Sequence, residues 1–521
     1  MGLLPLQRAD AEATRTTDVA AALELERARR FLRERADVVA LVLITAVAAI
    51  VRFSTLGAQG LDHDEAVTAA GVLHPTLPAT LSAVASLERT PPLFYILEWL
   101  WTQAPGVGTD PANLRFLSAV FGTLTVPVAY LAAREMSSRR AGVLAAALVA
   151  LNPFLVWYSQ EARAYSLLVL MVALGLYLFV RALRDPTGRR LVLWAGVSVL
   201  ALCTHYFAVF VIVPEAAWLL WSIRPRRRPL AAVAGVGVAG AALVPLAVGQ
   251  QSSDQANWFA AVPVLARAWQ IPVHFASTVK PEIPSPAAWI TQMQIGAGIL
   301  LAALVLAGVA LVLKRGAAAG RRAALMAFGL AAASFAIPLV LAASGLDFVD
   351  ARNVIATLVV LLIGSGIVFG AARPAILGTL ATAVACAMFA VLLVVSASTK
   401  VMQRPDWRVD AASIGSSSTK RLVVVPRTAE PPLSYFLGAQ REEGVGRPVW
   451  VRQIELFSRA PTNDGPRAPF KLTSEHSVRH GMWVTRYRSP HPVRVWLSPD
   501  RATHMISAGA GALVTTASVP G

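Results

Sequence analysis

Long apolar runs separated by short basic turns are the feature that most limits how this chain can fold. Of its 521 residues, 56% are hydrophobic and only 15% are charged, whereas soluble domains carry about 25% charged residues. A helix needs roughly 20 mostly apolar residues to cross the hydrocarbon core of a bilayer. The sequence therefore predicts a polytopic all-α membrane protein with about eleven transmembrane helices. We place them at residues 38–51, 114–131, 141–156, 167–180, 191–207, 208–223, 230–248, 295–313, 323–343, 354–369 and 375–395.

The formal net charge of +17 comes largely from arginine clusters at the ends of the apolar runs, such as 224–228. No basic stripe is interleaved with aromatic residues, so a nucleic-acid partner is not expected. Loops rich in Lys and Arg stay on the cytoplasmic side of a membrane, and the arginines within 27–35 therefore place the amino terminus there. Every dense basic cluster then faces the cytoplasm, provided that the aromatic segment 91–101 lies along the interface and does not span.

This topology divides the chain into three parts. Residues 1–37 form a cytoplasmic N-terminal leader, and residues 38–395 form the transmembrane domain with a large first outer loop at 52–113. Residues 396–521 lie outside and combine polar residues with short β-like runs. We interpret this last part as a small C-terminal extracytoplasmic α/β domain.

Ionisable residues collect at the predicted outer ends of the helices, most densely in the first outer loop. There Asp62, Asp64 and Glu65 place three carboxylates within four positions, around His63. Carboxylates so close raise one another's pKa and favour a bound cation or a proton-transfer partner. An outer loop is polar in any case, and a single acid–base pair in it is usually only a surface ion pair. The carboxylate group is the exception for which we favour a function.

Several short motifs, spread over most of the chain, resemble those of membrane-embedded glycosyltransferases of the GT-C class. The likeness is greatest to glycosyltransferase family 39, the protein mannosyltransferase and aminoarabinose transferase group. The motifs are Asp64-Glu65, Thr-Pro-Pro-Leu-Phe-Tyr at 90–95, Arg-Phe-Leu-Ser-Ala-Val-Phe-Gly at 115–122, the run from Asn152 to Tyr165, His205-Tyr206, and Asp406-Trp407-Arg408. Two positions depart from the family. Arg89-Thr90 precedes the double proline where some relatives have Lys or His, and Arg352-Asn353 stands where Arg-Tyr is more usual.

The resemblance implies a GT-C fold and inverting transfer of a sugar, mannose or a pentose such as arabinose, from a polyprenyl-phosphate donor to an acceptor hydroxyl on the outer face. It implies that Asp64 is the catalytic base and that Glu65 orients it or, with Asp64, binds a divalent metal ion (Mg, Mn or Ca). Arg163, Lys280 and Arg352 are expected to hold the leaving phosphate. Tyr165 and His205 are expected to line the sugar pocket. The other expected substrate contacts are Asp62, His63, Arg89, Glu161 and Tyr206.

Besides the lipid-linked donor, the expected partners are membrane lipids and a glycan, lipid or protein acceptor. The alanine- and arginine-rich composition is typical of bacteria with GC-rich DNA, so we expect a multi-pass protein of the inner (plasma) membrane. One alternative is a transporter or flippase of a lipid-linked or small polar substrate, whose site would lie at mid-membrane on broken helices related by repeats. Another is a non-catalytic sugar receptor. The absence of a recognisable repeat disfavours the first, and the crowded carboxylates disfavour the second.

Overall fold

A computed structural model describes residues 35–251, 262–277, 288–415, 419–426, 428–438, 440–441, 448–458, 465–466, 468–478, 482–496 and 510–515. The predicted cytoplasmic leader lies outside these residues, apart from 35–37.

Helices make up most of the described chain up to residue 398. In chain order they are α1 (Arg35–Phe53), α2 (His63–Val67), α3 (Leu77–Leu87), α4 (Leu93–Thr102), α5 (Pro111–Met136), α6 (Arg139–Leu151), α7 (Pro153–Ser159), α8 (Tyr165–Arg184), α9 (Gly188–Thr204), α10 (Val209–Ser222), α11 (Arg227–Gln251), α12 (Val264–Ala276), α13 (Ala288–Arg315), α14 (Ala318–Ala343), α15 (Ile355–Ala371) and α16 (Ala375–Ser398).

A helix lies at each of the eleven places where the sequence predicts a span, but not all of these helices have the length of a span. Among the described residues, seven are long and apolar enough to cross a membrane: α1, α5, α8, α11, α13, α14 and α16. The pair α6 and α7, bent by 61°, could form an eighth. Helices α9, α10 and α15 have 17, 14 and 17 residues, fewer than the roughly 20 that a crossing usually takes. The protein is therefore a multi-pass membrane protein, with seven to eight clear spans in the part of the chain that the structure describes.

The break between α6 and α7 directs the chain toward the segment between α1 and α5, which the sequence predicts to lie outside and which we call the first outer segment. The side chain of Asn152 accepts a hydrogen bond from the amide of Leu155 (3.0 Å), which caps α7, and donates one to the carbonyl of Phe275 (2.8 Å). Pro153 takes the first position of α7, where a missing N–H is not needed. Beyond α7, Gln160 donates to two carbonyls at the end of α1, at 3.0 and 3.1 Å. The turn after α7 is thereby fixed against α1.

The first outer segment contains α2, a π-helix at Thr68–Val72, α3 and α4. Helix α4 has ten residues, too few for a crossing, and it coincides with the segment 91–101 for which the sequence predicts a non-spanning helix. Helix α12 was not predicted. It lies in the stretch between the spans predicted at 230–248 and 295–313.

The C-terminal part forms the small α/β domain that the sequence predicts. Its helices are α17 (Trp407–Ile414) and α18 (Glu430–Leu437), and its strands are β1 (Arg421–Pro426), β2 (Gln440–Arg441), β3 (Pro448–Ser458), β4 (Lys471–Ser477), β5 (Trp483–Trp496) and β6 (Ala510–Thr515). The strands form a six-stranded mixed sheet in the order β2-β6-β1-β3-β5-β4. Apolar residues from both helices and from one sheet face form a common core. Because the Tyr435 hydroxyl donates to the Thr109 carbonyl (2.7 Å), this domain is held against the first outer segment.

Candidate active site

The short helix α2 separates two neighbouring carboxylates that the sequence alone leaves equivalent. Asp62 caps α2, with its side chain accepting from the amide of His63 (2.7 Å) and its own amide donating to Glu65 Oε2 (2.9 Å). This capping box fixes the start of the helix. Successive residues of a helix point about 100° apart, so the Glu65 side chain is fully buried while that of Asp64 is 36% exposed.

Glu65 is held in a buried pair with Arg115, from the Arg-Phe-Leu-Ser run near the start of α5. The guanidinium donates from Nε to Glu65 Oε1 (2.7 Å) and from Nη2 to Oε2 (2.6 Å). Its remaining N–H groups bond the carbonyls of Leu56, Gln59 and Gly60 at 2.7–2.9 Å. Burial alone would raise the pKa of Glu65, but the Arg115 guanidinium lowers it to about 2. The pair therefore ties α2 to α5.

The contacts of Glu65 bear on the expected metal ion. Oε1 also accepts from the amide of Ala162 (3.0 Å), so that two donors point at each carboxylate oxygen. An ionised carboxylate offers about four acceptor positions, and all four are occupied here. In the part of the chain that the structure describes, no three His, Cys, Asp or Glu side chains are placed to share an ion. The geometry thus favours a structural role for Glu65 over the metal ligation that the sequence suggests for it with Asp64.

Asp64 faces two arginines from distant parts of the chain. Its Oδ2 accepts from Arg352 Nη1 at 3.2 Å, and Arg352 is fixed in turn by Asp350, whose carboxylate accepts the Arg352 backbone N–H at 3.1 Å. Burial would raise the pKa of Asp64, but the charges of Arg163 and Arg352 outweigh it and hold the pKa below its usual range. Asp64 is therefore a carboxylate near neutral pH, half-exposed and beside two cations.

Arg163 reaches the site from the turn between α7 and α8. It donates from Nη1 to Glu88 Oε1 (2.6 Å) and to the Thr68 hydroxyl (3.2 Å), and its guanidinium lies 5.9 Å from the centre of the Tyr95 ring. The partner Glu88 is buried at the end of α3 and was missed by the sequence reasoning. Its position next to Arg89, just before the double proline, was the signal that could have drawn attention to it.

The same turn buries Glu161 beneath the first outer segment. Burial is the main reason why the pKa of Glu161 is raised, to about 8, and the carboxylates of Glu65 and Asp62 add to it, while Arg404 opposes it. The pKa of Asp62 is likewise raised by burial and by Asp64. Arg404, which approaches Glu161 to 3.5 Å, was also missed. It lies two residues before the Asp406-Trp407-Arg408 motif.

Of the other predicted site residues, some lie beside the carboxylates and others make contacts away from them. The Tyr165 and His205 rings lie 5.5 Å apart, and both are buried beside the acidic group. Tyr206 does not join this group. Its hydroxyl donates to Gln250 Oε1 (2.8 Å), and Gln250 Nε2 donates to the carbonyls of Val84 and Thr90. Arg89 is half-buried next to Glu88. The two residues that remain are His63, with Nδ1 3.0 Å from the Thr428 carbonyl, and Lys280, which lies outside the described residues.

Residues 89–248 match the sequence model of a family described as dolichyl-phosphate-mannose-protein mannosyltransferase. No curated protein matches the chain. Among solved structures, ArnT from Cupriavidus metallidurans bound to undecaprenyl phosphate has a TM-score of 0.53, covering 85% of this chain and 97% of that chain at 14% identity. The chain has the GT-C fold. The apo state of ArnT gives a TM-score of 0.54 with the same coverage and identity.

The GT-C fold and the resemblance to membrane glycosyltransferases that the sequence motifs predict are therefore confirmed. A further similar structure is the oligosaccharyltransferase AglB from Archaeoglobus fulgidus, at 12% identity and a TM-score of 0.46, covering 78% of this chain and 60% of that chain. The 14% identity with ArnT shows a shared fold and does not assign residues. The roles of the GT-C site residues in this chain depend on their own geometry.

Proposed function

We propose that this protein is an inverting glycosyltransferase that moves a sugar from a polyprenyl-phosphate donor to an acceptor hydroxyl at the outer membrane surface. The observation that carries the proposal is the ionised Asp64 carboxylate, 3.2 Å from Arg352 Nη1 and within the field of Arg163. A base and fixed cations side by side are what such a reaction requires. The binding of undecaprenyl phosphate by the similar ArnT supports the donor class.

In the proposed reaction, the oxygen of the acceptor hydroxyl attacks the anomeric carbon of the donor sugar. Asp64 takes the proton of that hydroxyl during the attack. The bond from that carbon to the phosphate oxygen breaks, and the polyprenyl phosphate leaves with the bonding electrons. Arg352 and Arg163 stabilise the charge that develops on the departing phosphate. Since Arg352 is paired with Asp64, a donor phosphate competes with Asp64 for the guanidinium and frees the base. The sugar, in this proposal, is mannose or a pentose such as arabinose.

Release of polyprenyl phosphate by the purified protein tests this proposal, with a panel of mannosyl and pentosyl donors and a hydroxyl acceptor. We expect Arg352→Gln to lower kcat/KM for the donor by about 10- to 100-fold, because a hydrogen bond to a charged group contributes about 1.5–3 kcal/mol. Arg190→Gln is the matched control, since Arg190 lies in a half-exposed pair with Asp185 at the far end of α8. No release from any donor by the wild type, or equal kcat/KM in both variants, would contradict the proposal.

We also propose that the site faces the exterior of the plasma membrane and the amino terminus the cytoplasm. In a background of Cys203→Ala and Cys386→Ala, an impermeant thiol reagent is expected to label Ala58→Cys in intact cells. Gly188→Cys, at the exposed start of α9, should react only after permeabilisation. The basic turns support this orientation. The reverse pattern of labelling would place the acidic group in the cytoplasm and exclude an outer-face transferase.

A further inference from the structure

Arg404 is a buried arginine in the link between the last transmembrane helix and the C-terminal domain. Its side chain is 3% exposed. The guanidinium lies 4.2 Å from the centre of the Trp157 ring, and Nη2 donates to the Trp157 carbonyl (3.3 Å). Its backbone amide donates to Gln59 Oε1 (2.9 Å). Arg404 is thereby fixed to α7 and to the first outer segment at once.

The carboxylates of Glu65 and Glu161 both lie close to this guanidinium. Nη2 is 3.5 Å from Glu161 Oε2 and Nε is 3.8 Å from Glu65 Oε2. Glu65 has its own strong partner in Arg115, whereas the ion pair that the structure gives Glu161 is the one with Arg404. The charge of Arg404 opposes the burial and the neighbouring carboxylates that raise the pKa of Glu161. Arg404 therefore matters most to Glu161.

The two carboxylates belong to the two segments whose separation matters for the chemistry. Glu65 follows Asp64 directly in α2, and Glu161 precedes Arg163 by two residues in the turn between α7 and α8. Within that turn the Arg163 amide donates to the Glu161 carbonyl (2.8 Å). Arg404 thus connects the segment that carries the base to the segment that carries a phosphate-binding cation.

We propose that Arg404 is a positioning residue for glycosyl transfer, which sets the separation of Asp64 and Arg163 by holding Glu65 and Glu161 together. This inference rests on the proposed function. It makes the segment after the last transmembrane helix part of the active centre. The C-terminal domain follows this segment directly and contacts α2 through the Thr428 carbonyl. In this proposal the domain therefore helps to position the active site.

Arg404→Gln is expected to lower kcat per folded molecule by about 10- to 100-fold, since displacements of about 1 Å at a reacting centre cost about that much. The donor KM is expected to change less than about 3-fold, because Arg163 and Arg352 remain. Arg404→Lys should recover part of the rate, as lysine keeps the charge but not the planar fork or the stacking. Arg452→Gln, on the exposed face of the C-terminal sheet, is the control with unchanged kcat.

The double variant separates positioning from stability. Arg404→Gln and Glu161→Gln each break the same contact, that between Arg404 and Glu161. The double variant Arg404→Gln/Glu161→Gln should therefore have the kcat of Arg404→Gln, and the two rate losses should not multiply. At a pH well above 8, where Glu161 is ionised, its Tm should rise above that of Arg404→Gln, because no unpaired carboxylate stays buried. Wild-type kcat in Arg404→Gln, or multiplicative losses, would overturn the inference. Additive Tm shifts would also overturn it, and they are measured without substrate, so this result is independent of whether the wild type transfers sugar.

Discussion

Asp64→Asn is expected to reduce sugar transfer by about 10²–10⁴-fold, the range that a positioned general base contributes. Expression and donor binding should stay near those of the wild type. Asparagine has the size of aspartate and can still accept a hydrogen bond from Arg352, so the packing of α2 is preserved. It cannot take the acceptor's proton. The measurement is release of polyprenyl phosphate at saturating donor, beside equilibrium binding of a non-hydrolysable donor analogue.

The matched control for this substitution is Asp110→Asn. Asp110 caps α5 on the same outer segment, with its carboxylate accepting from the amides of Ala112 (3.1 Å) and Asn113 (3.3 Å). Asparagine is as good an N-cap as aspartate, so this variant should keep wild-type transfer. Turnover of Asp64→Asn within about 3-fold of the wild type would remove Asp64 from the mechanism. A parallel loss of donor binding would assign it to recognition.

The positions of the helices could be predicted because they depend on composition and period alone, whereas the sidedness stays a prediction. The apolar runs place a helix at each predicted span, and the basic turns predict a self-consistent topology. Helix α15 is almost entirely buried in the bundle, and a buried helix satisfies its backbone groups within the protein and need not match the bilayer. Burial does not explain the short lengths of α9 and α10, in which Val192 and Trp221 are exposed. Helix α12 has an amphipathic pattern interrupted by Pro272, which obscured it.

The family resemblance implies different roles for Asp64 and Glu65, but the residues alone do not predict what separates the two carboxylates. Asp64 and Glu65 are neighbours with the same chemistry, and what separates them is helix phase together with a guanidinium fifty positions away, on Arg115. Glu88 and Arg404 were missed for the same reason. The contact of Glu88 with Arg163 spans 75 residues, and that of Arg404 with Glu161 spans 243. Such contacts leave no local pattern. The motif positions indicate the segments that the structure brings together and not the pairings inside them.

Arg115→Met is expected to destabilise the protein by about 3–5 kcal/mol, the cost of breaking a buried ion pair by removing one partner. Methionine fills much of the volume of arginine, but Glu65 would lose two of its four hydrogen bonds. The carbonyls of Leu56, Gln59 and Gly60 would lose their donors as well. We expect a strongly lowered Tm in detergent, low yield from membranes, and loss of transfer because α2 is no longer anchored.

Two further variants show whether this loss comes from the unpaired charge. Arg115→Met/Glu65→Gln removes the stranded carboxylate, so its Tm should lie above that of Arg115→Met although the three carbonyls stay unpaired. Arg184→Met removes an arginine from an exposed pair with Glu135 (2.9 Å) and should cost at most about 1 kcal/mol. Equal Tm values for Arg115→Met and Arg184→Met would mean that Glu65 is not held as the structure has it. The separate roles of Glu65 and Asp64 would then lose their basis, because the orientation of Asp64 depends on the burial of its neighbour.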